Sequence, residues 1–362
     1  MRLQKLSRTR LACVAFALLA VACVRGEDTP YTRAVSAGER AETAGRFRDA
    51  QSSYDRAIIV AERTVDREHA EKLAITMQAK AGDVQGAAKR LREVASAKPE
   101  KSTASHALFE LARIEEKTGD PVAAHATYEE ILHRFPNSAL SRRALHHVLL
   151  DVEEEGGPQA TLSYLDSVSE RLSTTILAEP VAYQRALRLE ALGQKNNARR
   201  AYLDVAARWP YPKGDLFDNA LVHASAIAEE EGDYASAVAD LERLLSTREV
   251  ADLIGTYQRP EYTRALWHLA EIHRDRLHDD ARARATFHRL YADFKSSPRR
   301  DDALFEEARL SEDPCPVLDT LVDHFPNSRY VACAVERCKD IERPQKSEAR
   351  ETCHYTLTRS HP

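Results

Sequence analysis

Glycine, tryptophan and methionine are scarce in this 362-residue chain, at 12, 2 and 2 occurrences, and aromatics make up only 7%. A sheet is poorly supplied by such a composition, so a β-barrel or sandwich is excluded. There is no surplus of positive charge either: 52 Lys and Arg face 57 Asp and Glu, for a formal net of −5. No electrostatic footprint for nucleic acid follows from that balance, and no nucleic-acid partner is expected. A Gly-rich phosphate loop, a nucleophile elbow, HExxH and CxxC are all missing, which excludes the common motif-borne chemistries and argues against an enzyme or a bound cofactor. Fourteen His are present, but no two stand at i,i+3 or i,i+4, so no helical face pairs two imidazoles for a metal. Hydrophobic runs are short as well: the longest uncharged stretch, Leu11–Val24, would span about 21 Å as a helix, less than the roughly 30 Å hydrocarbon core of a bilayer.

That stretch follows Arg2, Lys5, Arg8 and Arg10 and ends Ala20-Val21-Ala22-Cys23. A basic segment, a short apolar run and small residues before the cut are the order of a secretory signal, here residues 1–22. The end resembles a bacterial lipobox, which makes Cys23 the lipidation site and residues 23–30 the anchor linker. Ordinary signal cleavage at Ala20-Val21-Ala22 cuts the same bond and leaves Cys23 without lipid. Val24 follows the Cys where an inner-membrane lipoprotein commonly has Asp; the resemblance therefore implies the periplasmic face of the outer membrane.

Gly45, Gly82, Gly119, Gly156 and Gly193 recur every 37 residues, and Gly232 follows after 39. Each lies between two segments of helical period, for example one with Leu108, Leu111, Ala112 and Ile114 and the next with Ala124, Tyr128, Ile131 and Leu132. The second segment carries a small-large-small stripe: Ala50/Tyr54/Ala57, Ala87/Leu91/Val94, Ala124/Tyr128/Ile131, Ala198/Tyr202/Val205, Ala237/Leu241/Leu244 and Ala283/Phe287/Leu290. Alanine lets neighbouring helices approach and the large residue fills the groove, so Tyr128 is expected to be buried between hairpins. Thr161 stands where the fourth stripe expects Ala, and His278-Asp279 stand where the hairpin of Trp267 and Phe287 expects a glycine turn. This pattern resembles the tetratricopeptide repeat and implies an all-α chain: an α-solenoid of about nine antiparallel helical hairpins over residues 31–340, with a Cys-containing tail at 341–362.

The joints Arg134-Phe135-Pro136-Asn137-Ser138 and His324-Phe325-Pro326-Asn327-Ser328 resemble those of outer-membrane assembly lipoproteins and of the periplasmic coordinators of the Tol-Pal system. Physically, Pro stops one helix and Asn-Ser caps the next. The resemblance implies a concave face made by the first helices, binding envelope proteins or extended peptides. Aligned on the family, that face would include His106, Phe109 and Arg113, then Arg143 and His146, then Tyr183, and further on Asn219 and Val222. Glu153-Glu154-Glu155 and Glu229-Glu230-Glu231 end first helices, where acids oppose the helix dipole; they read as solvated ends or as faces for a basic partner.

Cys13 leaves with the signal and Cys23 with the lipid, so Cys315, Cys333, Cys338 and Cys353 remain. An even number in an exported chain favours two disulfides. In a continuous helix Cys333 and Cys338 differ by about 140° around the axis and about 7.5 Å along it, too far to bond each other. A hairpin turning at Pro326 brings position 315 opposite a residue next to Cys338, which pairs Cys315 with Cys338 and leaves Cys333 to Cys353. The reading that emerges is a membrane-anchored, non-enzymatic interaction scaffold of a bacterial envelope. Its alternatives are the solenoid part of a cell-wall-processing enzyme system, as in some lytic transglycosylases, and a soluble secreted ligand-binding protein.

Overall fold

The structure, a computed structural model, describes residues 29–97, 102–247 and 260–357. The signal, Cys23 and most of the anchor linker lie outside these residues. Every regular element within them is helical, and within each of the chain's two units the helices form antiparallel hairpins of the tetratricopeptide kind.

The chain divides into two units, the first ending at Asp151 and the second beginning at Val152. The first contains α1 (Pro30–Thr43) with α2 (Phe47–Val60), α3 (Thr64–Lys80) with α4 (Val84–Ala97), α5 (Ser102–Lys117) with α6 (Pro121–Arg134), and the start of α7 (Ser141–Leu172). The second contains the rest of α7, α8 (Ala178–Ala191) with α9 (Lys195–Arg208), α10 (Phe217–Glu230) with α11 (Tyr234–Leu245), and α12 (Pro260–Glu271) with α13 (Asp280–Asp293). It ends with α14 (Arg300–Arg309), α15 (Cys315–His324) and α16 (Val331–Arg337). Among the described residues the ninth unit is therefore α16 alone, followed by the tail.

The turn chemistry explains why these residues make hairpins. In four of them the residue after the left-handed position is Asp, and its carboxylate accepts a backbone N–H at the start of the next helix: Asp83 from Gly86, Asp120 from Ala123, Asp233 from Ser236 and Asp279 from Arg282, at 2.9–3.1 Å. One residue thus closes one helix and its neighbour opens the next. In the fourth hairpin the left-handed residue is Gly157, at φ 68, not Gly156 as the 37-residue spacing predicts. Gly156 is helical, and a Cβ there would come 2.5 Å from that of Ala160. Both glycines are required, one for backbone conformation and one for space. Thr161 is fully buried in the alanine position because its hydroxyl donates to the carbonyl of Gly157 at 3.1 Å.

The large residues of the stripe are buried throughout: Tyr54, Leu91, Tyr128, Leu165, Tyr202, Leu241 and Phe287. Tyr128 stacks on His147 with ring centroids 4.4 Å apart and meets Phe109 edge-on at 5.4 Å. The seam is thus an aromatic contact between one hairpin and the next. The seventh hairpin has no glycine. A π-helical turn, Ile272–Arg276, carries the extra residue and His278 takes the left-handed conformation at φ 52.

Candidate interaction surfaces

In the first unit, the 37-residue period places side chains as well as turns. His69 and His106 occupy one repeat position near the starts of α3 and α5, and Lys80 and Lys117 occupy another at their ends. Between α3 and α5, over α4, lies a groove of about 490 Å³. Its floor is apolar, with Ile75, Leu91 and Ala107 buried and Val94 and Ile114 half-buried. Glu68 accepts from the Thr103 hydroxyl at 3.1 Å, Arg113 pairs with Glu110 at 3.2 Å, and Lys80 reaches Glu42 at 2.7 Å. Lys72 and Lys117 are exposed and have no ion pair among the described residues.

His106 and Arg113 line this groove, together with Glu110 and Lys117, on one stripe at spacings of four, three and four. Phe109 does not. Turned about 60° from His106, it faces the seam and is 1% exposed, against Tyr128 and His147. Arg143 and His146 are exposed; the Arg143 guanidinium covers Phe109 at 4.5 Å and His146 meets His147 edge-on at 6.1 Å. In the second unit Tyr183 is likewise buried, 5.7 Å from Tyr202 and 6.1 Å from His223, while Asn219 is exposed and Val222 is half-buried against the core. Phe109 and Tyr183 therefore hold repeats together and present no open face. A first helix is covered by its own partner and by the next unit, so only a narrow stripe stays accessible.

Three of the six acids at the acidic helix ends have internal partners. Glu153 pairs with Arg188, Glu230 with Lys195 at 2.9 Å, and Glu229 with His268 at 2.7 Å and Arg276 at 3.2 Å. The unfavourable position against the dipole is offset by a cation from a neighbouring element. A recurrence that the sequence reading missed runs through the same seams: Glu42/Tyr54, Glu116/Tyr128 and Glu190/Tyr202, each pair twelve residues apart and each set 74 from the last. Tyr202 donates to Glu190 at 2.5 Å while His223 contacts the same carboxylate at 3.0 Å. Tyr54 donates to Glu42 at 3.3 Å, and burial beside that charge pushes its hydroxyl up to about 12. A test for periodicity among acids, and not only among apolar residues, would have found the series.

At the C-terminal end, Cys315 is bonded to Cys338 and Cys333 to Cys353, with Cα separations of 5.7 and 4.6 Å. The tail folds back over α16. Cys353 N–H donates to Glu336 at 2.9 Å, Glu348 N–H donates to the Asn327 side chain at 2.9 Å, and Tyr355 packs 4.9 Å from Tyr330, itself stacked on Phe305 at 3.9 Å. Arg329 lies over both tyrosines, and its guanidinium meets Asp302 at 2.6 Å. Among the described residues no helix is long and apolar enough to cross a membrane, and no three His, Cys, Asp or Glu side chains converge as a metal site.

No curated protein matches the chain. Similar solved structures include a tetratricopeptide repeat protein from Parabacteroides merdae (14% identity, covering 77% of this chain and 98% of that one, TM-score 0.33). Others are the C-terminal part of a tetratricopeptide-containing protein from Cytophaga hutchinsonii (13%, 74% and 98%, TM-score 0.41) and pilF of Pseudomonas aeruginosa (15%, 65% and 95%, TM-score 0.35). Residues 106–138, which are most of α5, all of α6 and the joint after it, match the tetratricopeptide repeat family, and the Asp cap of this hairpin recurs in the second and sixth.

Proposed function

We propose that the chain is a non-enzymatic protein–protein interaction scaffold, exported and anchored by lipid on Cys23 to the periplasmic face of a bacterial outer membrane. The observation that carries the scaffold reading is the accessible stripe on the first helices, floored by apolar side chains between α3 and α5. Stacked hairpins keep such a stripe in fixed register, which is how repeat arrays bind extended partners. Two cysteine pairs within bonding geometry support export, because disulfides persist in oxidising compartments. The basic segment, the short apolar run and Ala20-Val21-Ala22-Cys23 support the anchor.

Crosslinking in intact cells followed by capture of the full-length protein from solubilised membranes tests the scaffold, and intact mass of the membrane fraction tests the anchor. A mature N-terminal Cys bearing acyl mass and a reproducible set of envelope partners are expected. A mature chain with no acyl mass, released by salt alone, would remove the anchor. Capture of no specific partner would remove the scaffold.

A further inference from the structure

We propose that the groove between α3 and α5 binds an extended peptide segment of the pattern acid-x-apolar-x-acid. This inference rests on the scaffold reading and names the class of partner that the groove would take.

Length comes first. His106 to Lys117 covers eleven helical steps, so the groove is about 16 Å long, which an extended chain spans in about five residues. Cross-section comes next. The floor of Ile75, Leu91, Val94 and Ile114 is walled by α3 on one side and α5 on the other, a channel into which a single line of side chains can be lowered. An extended strand fits, with alternate side chains turned inward.

Charge fixes the pattern. Of the cations around the groove, Lys80 is held by Glu42 and Arg113 by Glu110, which leaves Lys72 on one wall and Lys117 on the other without ion pairs among the described residues. Lys72 stands eight residues before the level of Lys80 and Lys117, a separation of about 12 Å along the axis. In an extended chain that is the distance from residue i to i+4, two positions whose side chains point the same way. Residue i+2 between them faces Ile75 and Ile114, and so is apolar. Glu68, Glu71 and Glu110 also line the groove against Lys72, Lys80, Arg113 and Lys117, so its local balance is only slightly positive and the two unengaged lysines, not a net charge, set where the acids of the segment would sit.

The test uses the full chain and fluorescein-labelled peptides in which Gly-Ser flanks enclose either Glu-Ser-Leu-Ser-Glu or Lys-Ser-Leu-Ser-Lys, read by anisotropy. The glutamate peptide is expected to bind, to weaken with added salt, and to bind about tenfold less well to the double variant Lys72→Glu/Lys117→Glu. That variant is expected to prefer the lysine peptide. Both lysines are exposed, so an unchanged melting curve shows that the variant is folded. Equal binding of the two peptides, no binding of either, or an affinity indifferent to the charge reversal overturns the proposal. If the reversed variant still captures the same crosslinked partners, the groove is wrong and the scaffold stands. If the unaltered protein captures none, the scaffold falls independently of the peptide result.

Discussion

Tyr54, Tyr128 and Tyr202 alternate along the chain with Leu91, Leu165 and Leu241 at one structural position, and all six are buried. Their burial is legible from the stripe because an apolar period of helical spacing needs only local information. What each hydroxyl meets is not legible in that way, since it depends on a glutamate twelve residues earlier in another helix. The consequence differs between the seams. Tyr202 donates to Glu190 at 2.5 Å, and a bond to a charged group contributes about 1.5–3 kcal/mol. The Tyr128 hydroxyl makes no direct hydrogen bond; burial first, and then the charge and hydrogen-bonding reach of the nearby Glu116 carboxylate, push its pKa up, but the geometry leaves the two short of a bond. Tyr202→Phe is therefore expected to lower stability by about 1.5–3 kcal/mol and Tyr128→Phe to change it by less than about 0.5 kcal/mol. Tyr128→Ala should cost about 3–5 kcal/mol because it opens a cavity. Denaturant midpoints of the three variants check this, and a Tyr128→Phe loss as large as that of Tyr202→Phe would show that its hydroxyl is bonded after all.

The helix-turn-helix units were readable because glycine at a 37-residue interval and Asp directly after it are local signals for ending one helix and starting another. The interval misplaces the fourth turn by one residue, since it cannot tell the glycine needed for conformation from the one needed for space. Nor did it show the π-helical turn of the seventh hairpin, where Leu277 N–H reaches the carbonyl of Ile272 at 3.0 Å and the register gains a residue. The concave-face residues were placed by family phase, which does not decide how much of a first helix its neighbours cover; hence the misplacement of Phe109 and Tyr183. The seventh turn yields a prediction. His278 adopts φ 52, a conformation that costs an L-residue about 1–2 kcal/mol, whereas glycine there loses only roughly 0.5–1 kcal/mol in unfolded-chain entropy. His278→Gly should raise stability by about 0.5–1 kcal/mol, seen as a higher melting temperature, provided that Asp279 still caps α13. A lower melting temperature would mean that the imidazole contributes more than its backbone strain removes.

Across the whole chain, acids and bases are nearly balanced, so the pH response is set by individual histidines and not by net charge. Several of these sit at seams against carboxylates: His147 with Glu116, His223 with Glu190, His268 with Glu229 and His288 with Glu307, at 2.7–3.1 Å. Two neighbours in the second unit pull in opposite directions. His268 is held above the ordinary 6.5, first by its bond to Glu271 and, against the effect of burial, by Glu229. Its contribution is complete below 6.5 and is lost as pH rises through the raised value. His273, in the π-helical turn, is 4% exposed with an unpartnered Nδ1; burial holds it below 6.5, while Asp279 and Glu242 act to raise it and Arg282 to lower it. Its folded form therefore loses stability as pH falls below 6.5. Melting curves at about pH 5.5 and about pH 8.5 separate the two. His268→Gln should cost more stability at the lower pH than at the higher one. His273→Leu should do the reverse, gaining relative to the unaltered protein on acidification because it removes the proton that the buried imidazole is forced to take up on unfolding. Parallel pH profiles for the two variants would show that neither seam carries the charge coupling its geometry implies.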